Sequence, residues 1–169
     1  MFKINNHKQM ELFDPWDFLS PKRRRLLDES WAGLFKQEIL CELPVSKLAS
    51  VFHASFGRPT KELHTVLGVL ILQQTHDLTD EETVNQLAFN IQWHYALNIT
   101  EESDSAKYMC PKTLWSMRNS VIVENDLHDC LFEKISDKLS HVFNVDTDKQ
   151  RIDSVHIKFN IQGVGLRQK

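Results

Sequence analysis

The segment whose residues are best suited to carry out chemistry is RIDSVHIKFNI, at residues 151–161. Apolar and polar residues alternate in it, which predicts a β-strand with one apolar face. Four apolar residues share the face that carries Asp153: Val155, Ile157, Phe159 and Ile161. An ionised carboxylate on such a face is costly unless it is paired, hydrogen-bonded or bound to a metal. Asp153 is therefore a candidate Mg²⁺ ligand; the alternative is that it begins the strand in water, near Arg151.

The densest basic cluster is the run KRRR, which consists of Lys22, Arg23, Arg24 and Arg25. Clusters of this kind contact phosphates or serve as address signals. The run falls in the first turn of a predicted helix, where positive charge opposes the helix dipole. It is either a nucleic-acid contact or a solvated helix start.

A second candidate for a DNA-facing surface lies on a short predicted helix near residues 111–123. Lys112 and Arg118 flank Trp115 in this helix. Basic residues interleaved with an aromatic one suit contact with nucleic acid. The alternative is that Trp115 belongs to the hydrophobic core.

Other common catalytic or metal-binding patterns are not found in the sequence. Four of the histidines are scattered without a visible partner: His53, His64, His94 and His156. The cysteines Cys41, Cys110 and Cys130 lack CxxC spacing and histidines at ligand spacing, so free thiols are predicted rather than a zinc site. The sequence contains no P-loop, GxGxxG or Ser-His-Asp arrangement.

Helical periodicity runs through residues 20–145 and predicts a mainly α-helical domain. Ser20 and Pro21 suit the start of a first helix that continues towards Pro44. Thr60 is the predicted cap of a largely apolar helix, which we expect to be buried on most sides. A capping box in residues 78–99 predicts one further helix there. Two more helices are predicted at residues 110–123 and 125–145.

Composition sets wider limits on the function. The 169 residues, 41% hydrophobic and 25% charged, are ordinary for one globular domain. The net charge of −3 excludes a uniformly basic surface, but acidic residues are concentrated at 61–110 and basic ones in the flanks, so any nucleic-acid contact would be local. No transmembrane run or signal peptide is visible, and a cytoplasmic location is predicted.

Four stretches occur in the order found in the N-terminal region of bacterial insertion-sequence transposases. They are SWAGLFKQEILCELP, FGRPTKELHTVLGVLILQQTHDLTDEETVNQLAFNIQWHYALNI, CPKTLWSMRN and QRIDSVHIKFNI. The chain resembles, over roughly residues 18–165, the InsH-type domain that precedes a DDE catalytic core. The resemblance implies an irregular segment at 1–19, a helical transposase domain at 20–145, and at 146–169 the first β-strand of an incomplete ribonuclease-H-like core.

The resemblance also implies a role for Asp153. The motif that matches comprises Arg151, Ile152, Asp153, Ser154, Ile157 and Asn160. By that match Asp153 is the first of three metal-binding acids, which hold Mg²⁺ in the intact family. Two-metal phosphoryl chemistry needs two or three such acids. We therefore expect a truncated chain that binds no Mg²⁺ and cleaves no DNA by itself.

Three functions remain open from the sequence. The chain is a transposase fragment that binds DNA at insertion-element ends or oligomerises, a truncated regulator that inhibits transposition, or a helical remnant without function. The expected partners are DNA, a second copy of the chain and a full-length transposase, with no membrane.

Overall fold

The computed structural model describes residues 3–7, 14–50, 52, 60–119 and 127–145, and this part of the chain is mainly helical. Its α-helices are α1 (Pro21–Asp28), α2 (Trp31–Leu34), α3 (Val45–Ala49), α4 (Leu63–Thr75), α5 (Asp80–Phe89), α6 (Ile91–Ala96), α7 (Asp104–Lys107), α8 (Pro111–Ser116) and α9 (Leu127–Phe143). None of these helices is both long and apolar enough to cross a membrane. The predicted mainly α-helical fold is confirmed, whereas the predicted strand at 151–161, with Asp153, lies outside the described residues.

The first predicted helix is broken at Ser30 instead of continuing to Pro44. Ser30 ends the run of α1 because its hydroxyl donates to the Leu27 carbonyl (2.7 Å) and accepts from the Ala32 amide (3.2 Å), which caps α2. A π-helical turn, Phe35–Ile39, and a 3₁₀ turn, Leu40–Glu42, then extend α2. Local capping therefore outweighs the continuous apolar periodicity at this point.

The break also depends on the glycine in α2. A Cβ atom built on Gly33 would lie 2.2 Å from the Asp28 carbonyl oxygen and 2.8 Å from its carbonyl carbon. Both atoms belong to the backbone of α1, so they cannot move aside without opening the junction. Only glycine lets α2 approach the end of α1 this closely.

Helix α4 lies at the centre of the core, as its apolar sequence predicts. Ten of its 13 residues are buried. Its N-cap is Glu62, whose side chain accepts from the Thr65 amide (2.7 Å), so the prediction that Thr60 caps this helix is wrong. Thr60 lies two residues before the cap and its hydroxyl is buried without a hydrogen-bond partner.

The segment predicted as one helix at 78–99 forms two helices, α5 and α6. The predicted capping box of Thr79 and Glu82 begins α5. Asn90 adopts an extended backbone, and its side-chain oxygen accepts from the Gln92 amide (2.8 Å), which caps α6. The break turns α6 inwards and buries Trp93 and Leu97.

The N-terminal segment joins the helical domain at the start of α4. Lys3 forms a parallel β-bridge with Glu62, and the Leu63 amide donates to the Lys3 carbonyl (3.0 Å). This contact places residues 3–7 beside the first turn of the central helix.

Candidate nucleic-acid interface

Helix α1 presents basic side chains at an end where the helix itself does not favour them. Lys22 and Arg23 are exposed in the first turn, which contains no acidic residue, whereas the exposed Arg25 lies in the last turn. Positive charge at a helix N-terminus is opposed by the dipole of the backbone. Within the described part of the chain, neither Lys22 nor Arg23 forms an ion pair. Local structure therefore gives no reason for this concentration of charge.

Arg25 is only loosely held. Its Nε lies 3.6 Å from Oε1 of Glu29, one turn further along α1, and both side chains are largely exposed. Exposed pairs of this kind are worth at most about 1 kcal/mol. The guanidinium of Arg25 therefore remains accessible to a phosphate.

Arg24 differs from its neighbours because its half-buried guanidinium is held by other side chains of the fold. It pairs with Asp14 (Nη2–Oδ2, 3.0 Å) and with Asp28 (Nε–Oδ2, 3.3 Å). It also lies over the ring of Tyr95, 5.0 Å from the ring centre. These contacts join α1 to the turn at residue 14 and to α6, and they occupy the groups that a phosphate would need.

Electrostatics around Arg24 favour the paired, charged state. Partial burial opposes ionisation of Asp14, but the Trp16 amide and Arg24 outweigh it and lower the pKa of that carboxyl. Burial and a hydrogen bond donated to Asp28 raise the pKa of the Tyr95 hydroxyl to about 12. Tyr95 therefore stays protonated and holds Asp28 in place beside Arg24.

The second predicted DNA-facing group comprises Lys112 and Trp115 on α8 and Arg118 just after it, and the structure separates Arg118 from the other two. Lys112 is exposed, and Trp115 is 58% exposed, so the alternative that Trp115 belongs to the core is wrong. Residues three apart share one side of a helix, which places Lys112 and Trp115 together. Arg118 instead pairs with Asp80, with 2.6 Å between Nη2 and Oδ1.

The pairing of Arg118 concerns the acidic start of α5, which its charge alone predicts to face away from DNA. Asp80 accepts from both Arg118 and the Gln73 amide (2.8 Å). Partial burial opposes the effect, but these two donors lower the pKa of Asp80. Arg118 and Asp80 occupy one surface, so Arg118 cannot face DNA while Asp80 faces away from it.

The fold forms one cluster that the sequence pattern does not show. His7, Glu62 and His64 each offer a ligand atom, and these atoms all lie within 4.8 Å of one another. The sequence predicts no partner for His64, but in the structure it contacts Glu62. The motif Glu-Leu-His at the start of α4 was a local signal, but only the fold brings His7 to it.

Comparison with known proteins identifies one family. The model of the family described as Transposase domain (DUF772) matches residues 25–120, more than half of the chain. The match includes Arg25, Lys112 and Arg118, while Lys22, Arg23 and Arg24 lie just before it. No curated protein matches the chain. No solved structure matches it either.

Proposed function

The chain belongs to the transposase-domain family DUF772, and from this premise we propose that it binds DNA during transposition through the exposed basic side chains of α1. The observation that carries the proposal is the arrangement of Lys22, Arg23 and Arg25. All three are exposed; Lys22 and Arg23 lie in the first turn, which has no acid and where the helix dipole opposes positive charge, and Arg25 lies in the last turn, held only by an exposed pair with Glu29. A phosphate backbone would compensate all three charges.

Helix α8 supplies a second contact in this proposal. The exposed indole of Trp115 lies on the same side as Lys112. An aromatic ring beside a cation can stack on an unpaired base while the cation contacts phosphate. Arg24 and Arg118 take no part in DNA binding, because acidic residues of the fold hold them.

The sequence motif at residues 151–160 is the basis for proposing that this protein has a DDE catalytic role. We propose Asp153 as its first metal-binding acid, with Mg²⁺ as the cation. Support comes from the sequence match alone, because Asp153 lies outside the described residues. Two-metal phosphoryl transfer needs further acids besides Asp153 to hold the cations.

A salt titration tests the DNA contact. Fluorescence anisotropy with a labelled random-sequence duplex gives the dissociation constant at several salt concentrations. The double variant Arg23→Ala/Arg25→Ala should bind more weakly, and its plot of log K against log salt should be flatter by about 1.8, since each phosphate contact contributes about 0.9. Arg24 is left intact because its removal would disturb the fold.

The matched control removes the same charge from α9. Lys134→Ala/Lys138→Ala changes the net charge equally, but on a helix to which no DNA contact is assigned. Its slope should equal that of the wild type. Equal slopes for the wild type and the α1 variant would show that the basic run is only a solvated helix start.

The chain is also proposed to associate with a second copy of itself, through exposed aromatic side chains on α9. On α9, Phe132 is 67% exposed and Phe143 is 60% exposed. Residues 11 apart lie on nearly the same face of a helix. Sedimentation equilibrium should therefore show a concentration-dependent dimer that Phe132→Ser weakens, and a monomer at all concentrations would reject this contact.

A further inference from the structure

We propose that His7, Glu62 and His64 form a binding site for one divalent transition-metal ion, with Zn²⁺ as the ion to test. This inference concerns a different surface from the basic face of α1 and does not depend on DNA binding. It begins from the atoms of the cluster, its burial and its solvent access.

The three side chains converge on one point. Nδ1 of His64 lies 2.9 Å from Oε1 of Glu62, and Nε2 of His7 lies 3.7 Å from the same oxygen. Nitrogen and oxygen ligands of Zn²⁺ lie about 2.0–2.2 Å from the metal, which separates neighbouring ligands by roughly 3–4 Å. Both distances to Glu62 Oε1 fall within a few tenths of an ångström of this range, and the two histidine nitrogens lie within 4.8 Å of each other.

His7 is the observation that points to a ligand. Its side chain is only 5% exposed, although it belongs to a short segment outside the helices. Its Nε2 atom is buried, has no hydrogen-bond partner and is directed towards the cluster. A buried polar atom without a partner is costly in a folded protein. A bound cation would satisfy it.

Glu62 is already oriented for this role. Its Oε2 atom accepts from the amide (2.7 Å) and the hydroxyl (2.9 Å) of Thr65. These bonds fix the carboxylate. Its Oε1 atom accepts from the Asn5 amide (3.2 Å) and faces both imidazoles.

Asn98 provides an outer contact to His7. Its amide group lies 3.4 Å from His7 Nδ1. Metal binding at Nε2 leaves the proton on Nδ1, which can donate to the Asn98 oxygen after rotation of the amide group. Hydrogen bonds of this kind orient metal-bound histidines and raise their affinity.

The ligand types and the surroundings decide the class of ion. Two imidazoles and one carboxylate suit Zn²⁺ and related transition metals better than Mg²⁺ or Ca²⁺, which prefer oxygen ligands. His7 and Glu62 also line a cleft of about 740 Å³. Water from this cleft can complete the coordination, as in other Zn²⁺ sites with three protein ligands.

Competition with a chromophoric chelator measures the affinity of the metal-free chain for Zn²⁺. We expect one ion per chain. His7→Gln and Glu62→Gln should each weaken binding by at least about 10- to 100-fold, the loss typical for outer-shell partners. Glu62→Gln retains an oxygen that can cap α4. The matched control His141→Gln, at an exposed position of α9, should bind as the wild type does.

Two spectroscopic measurements keep the test independent of the variants. In the wild type, Zn²⁺ should shift imidazole ¹⁵N resonances of two of the eight histidines, and Co²⁺ should give no thiolate charge-transfer band. Failure to bind stoichiometrically, unshifted histidines, or full binding by His7→Gln would overturn the proposal. A thiolate band that persists in His7→Gln would assign the metal to cysteines and overturn it equally.

Discussion

Alanine substitution should destabilise the fold at one of two consecutive arginines in α1 and leave stability nearly unchanged at the other. Arg24→Ala removes two ion pairs and a contact with an aromatic ring. Arg23→Ala removes an exposed side chain for which no ion pair is found among the described residues. Because the two positions share one helical turn, the change in helix propensity is the same in both variants.

The magnitude follows from the contacts. The i,i+4 pair with Asp28 contributes about 0.3–0.5 kcal/mol and the pair with Asp14 about 0.2–1 kcal/mol, and the ring contact contributes about 0.5–1 kcal/mol. Arg24→Ala should therefore lower the free energy of unfolding by about 1–2.5 kcal/mol. Arg23→Ala should stay within about 0.5 kcal/mol of the wild type, as is usual for exposed sites.

Urea denaturation followed by circular dichroism provides the assay. With a slope of about 2 kcal/mol per M, the midpoint of Arg24→Ala should fall by roughly 0.5–1.2 M while that of Arg23→Ala stays in place. High salt should reduce the difference, because it screens partly exposed ion pairs. Equal midpoints for the two variants would show that Arg24 does not hold the fold, and its exclusion from the DNA contact would lose its basis.

Three further predictions concern stability. Gly33→Ala should lower the free energy of unfolding by about 1–3 kcal/mol in urea melts, because the added Cβ meets the backbone of α1. This steric cost outweighs a gain of about 1 kcal/mol in helix propensity. A more stable variant would contradict the described junction. Burial lowers the pKa of His94, despite the nearby Leu87 carbonyl. The unfolded chain therefore binds the proton more readily, and the free energy of unfolding should fall as the pH drops below about 6.5. His94→Gln should lose part of this pH dependence, and an unchanged pH profile would refute the assignment. Thr79→Ala should cost about 1 kcal/mol by removing the capping box of α5, and an unchanged melting temperature would count against it.

The mainly α-helical fold could be predicted from the sequence because it depends on patterns among neighbouring residues. The apolar run of α4 and the capping box at Thr79 and Glu82 are properties of neighbouring residues, and both occur in the structure as predicted. The same reasoning failed at Ser30 and Asn90. There a side chain that bonds to the backbone competes with a continuous helix, and the packing of the next helix decides between them.

The roles of individual charged residues were decided by tertiary structure. The local sequence shows only that Arg24 has an acid, Asp28, four residues later; the contacts of Arg24 with Asp14 and Tyr95 form only in the fold. Arg118 likewise finds Asp80 from a distant part of the chain. Pairing between residues far apart in sequence depends on how helices pack, so a run of basic letters cannot show which members remain available to a ligand.

The candidate metal site shows the same division. A helical domain with an acidic middle and basic flanks could be predicted from the sequence, because composition, periodicity and capping act over a few residues. Only the tertiary structure brought His7 to Glu62 and His64, through the bridge between Lys3 and Glu62. Convergence of side chains from separate segments depends on the path of the whole backbone, and no spacing within the sequence encodes that path.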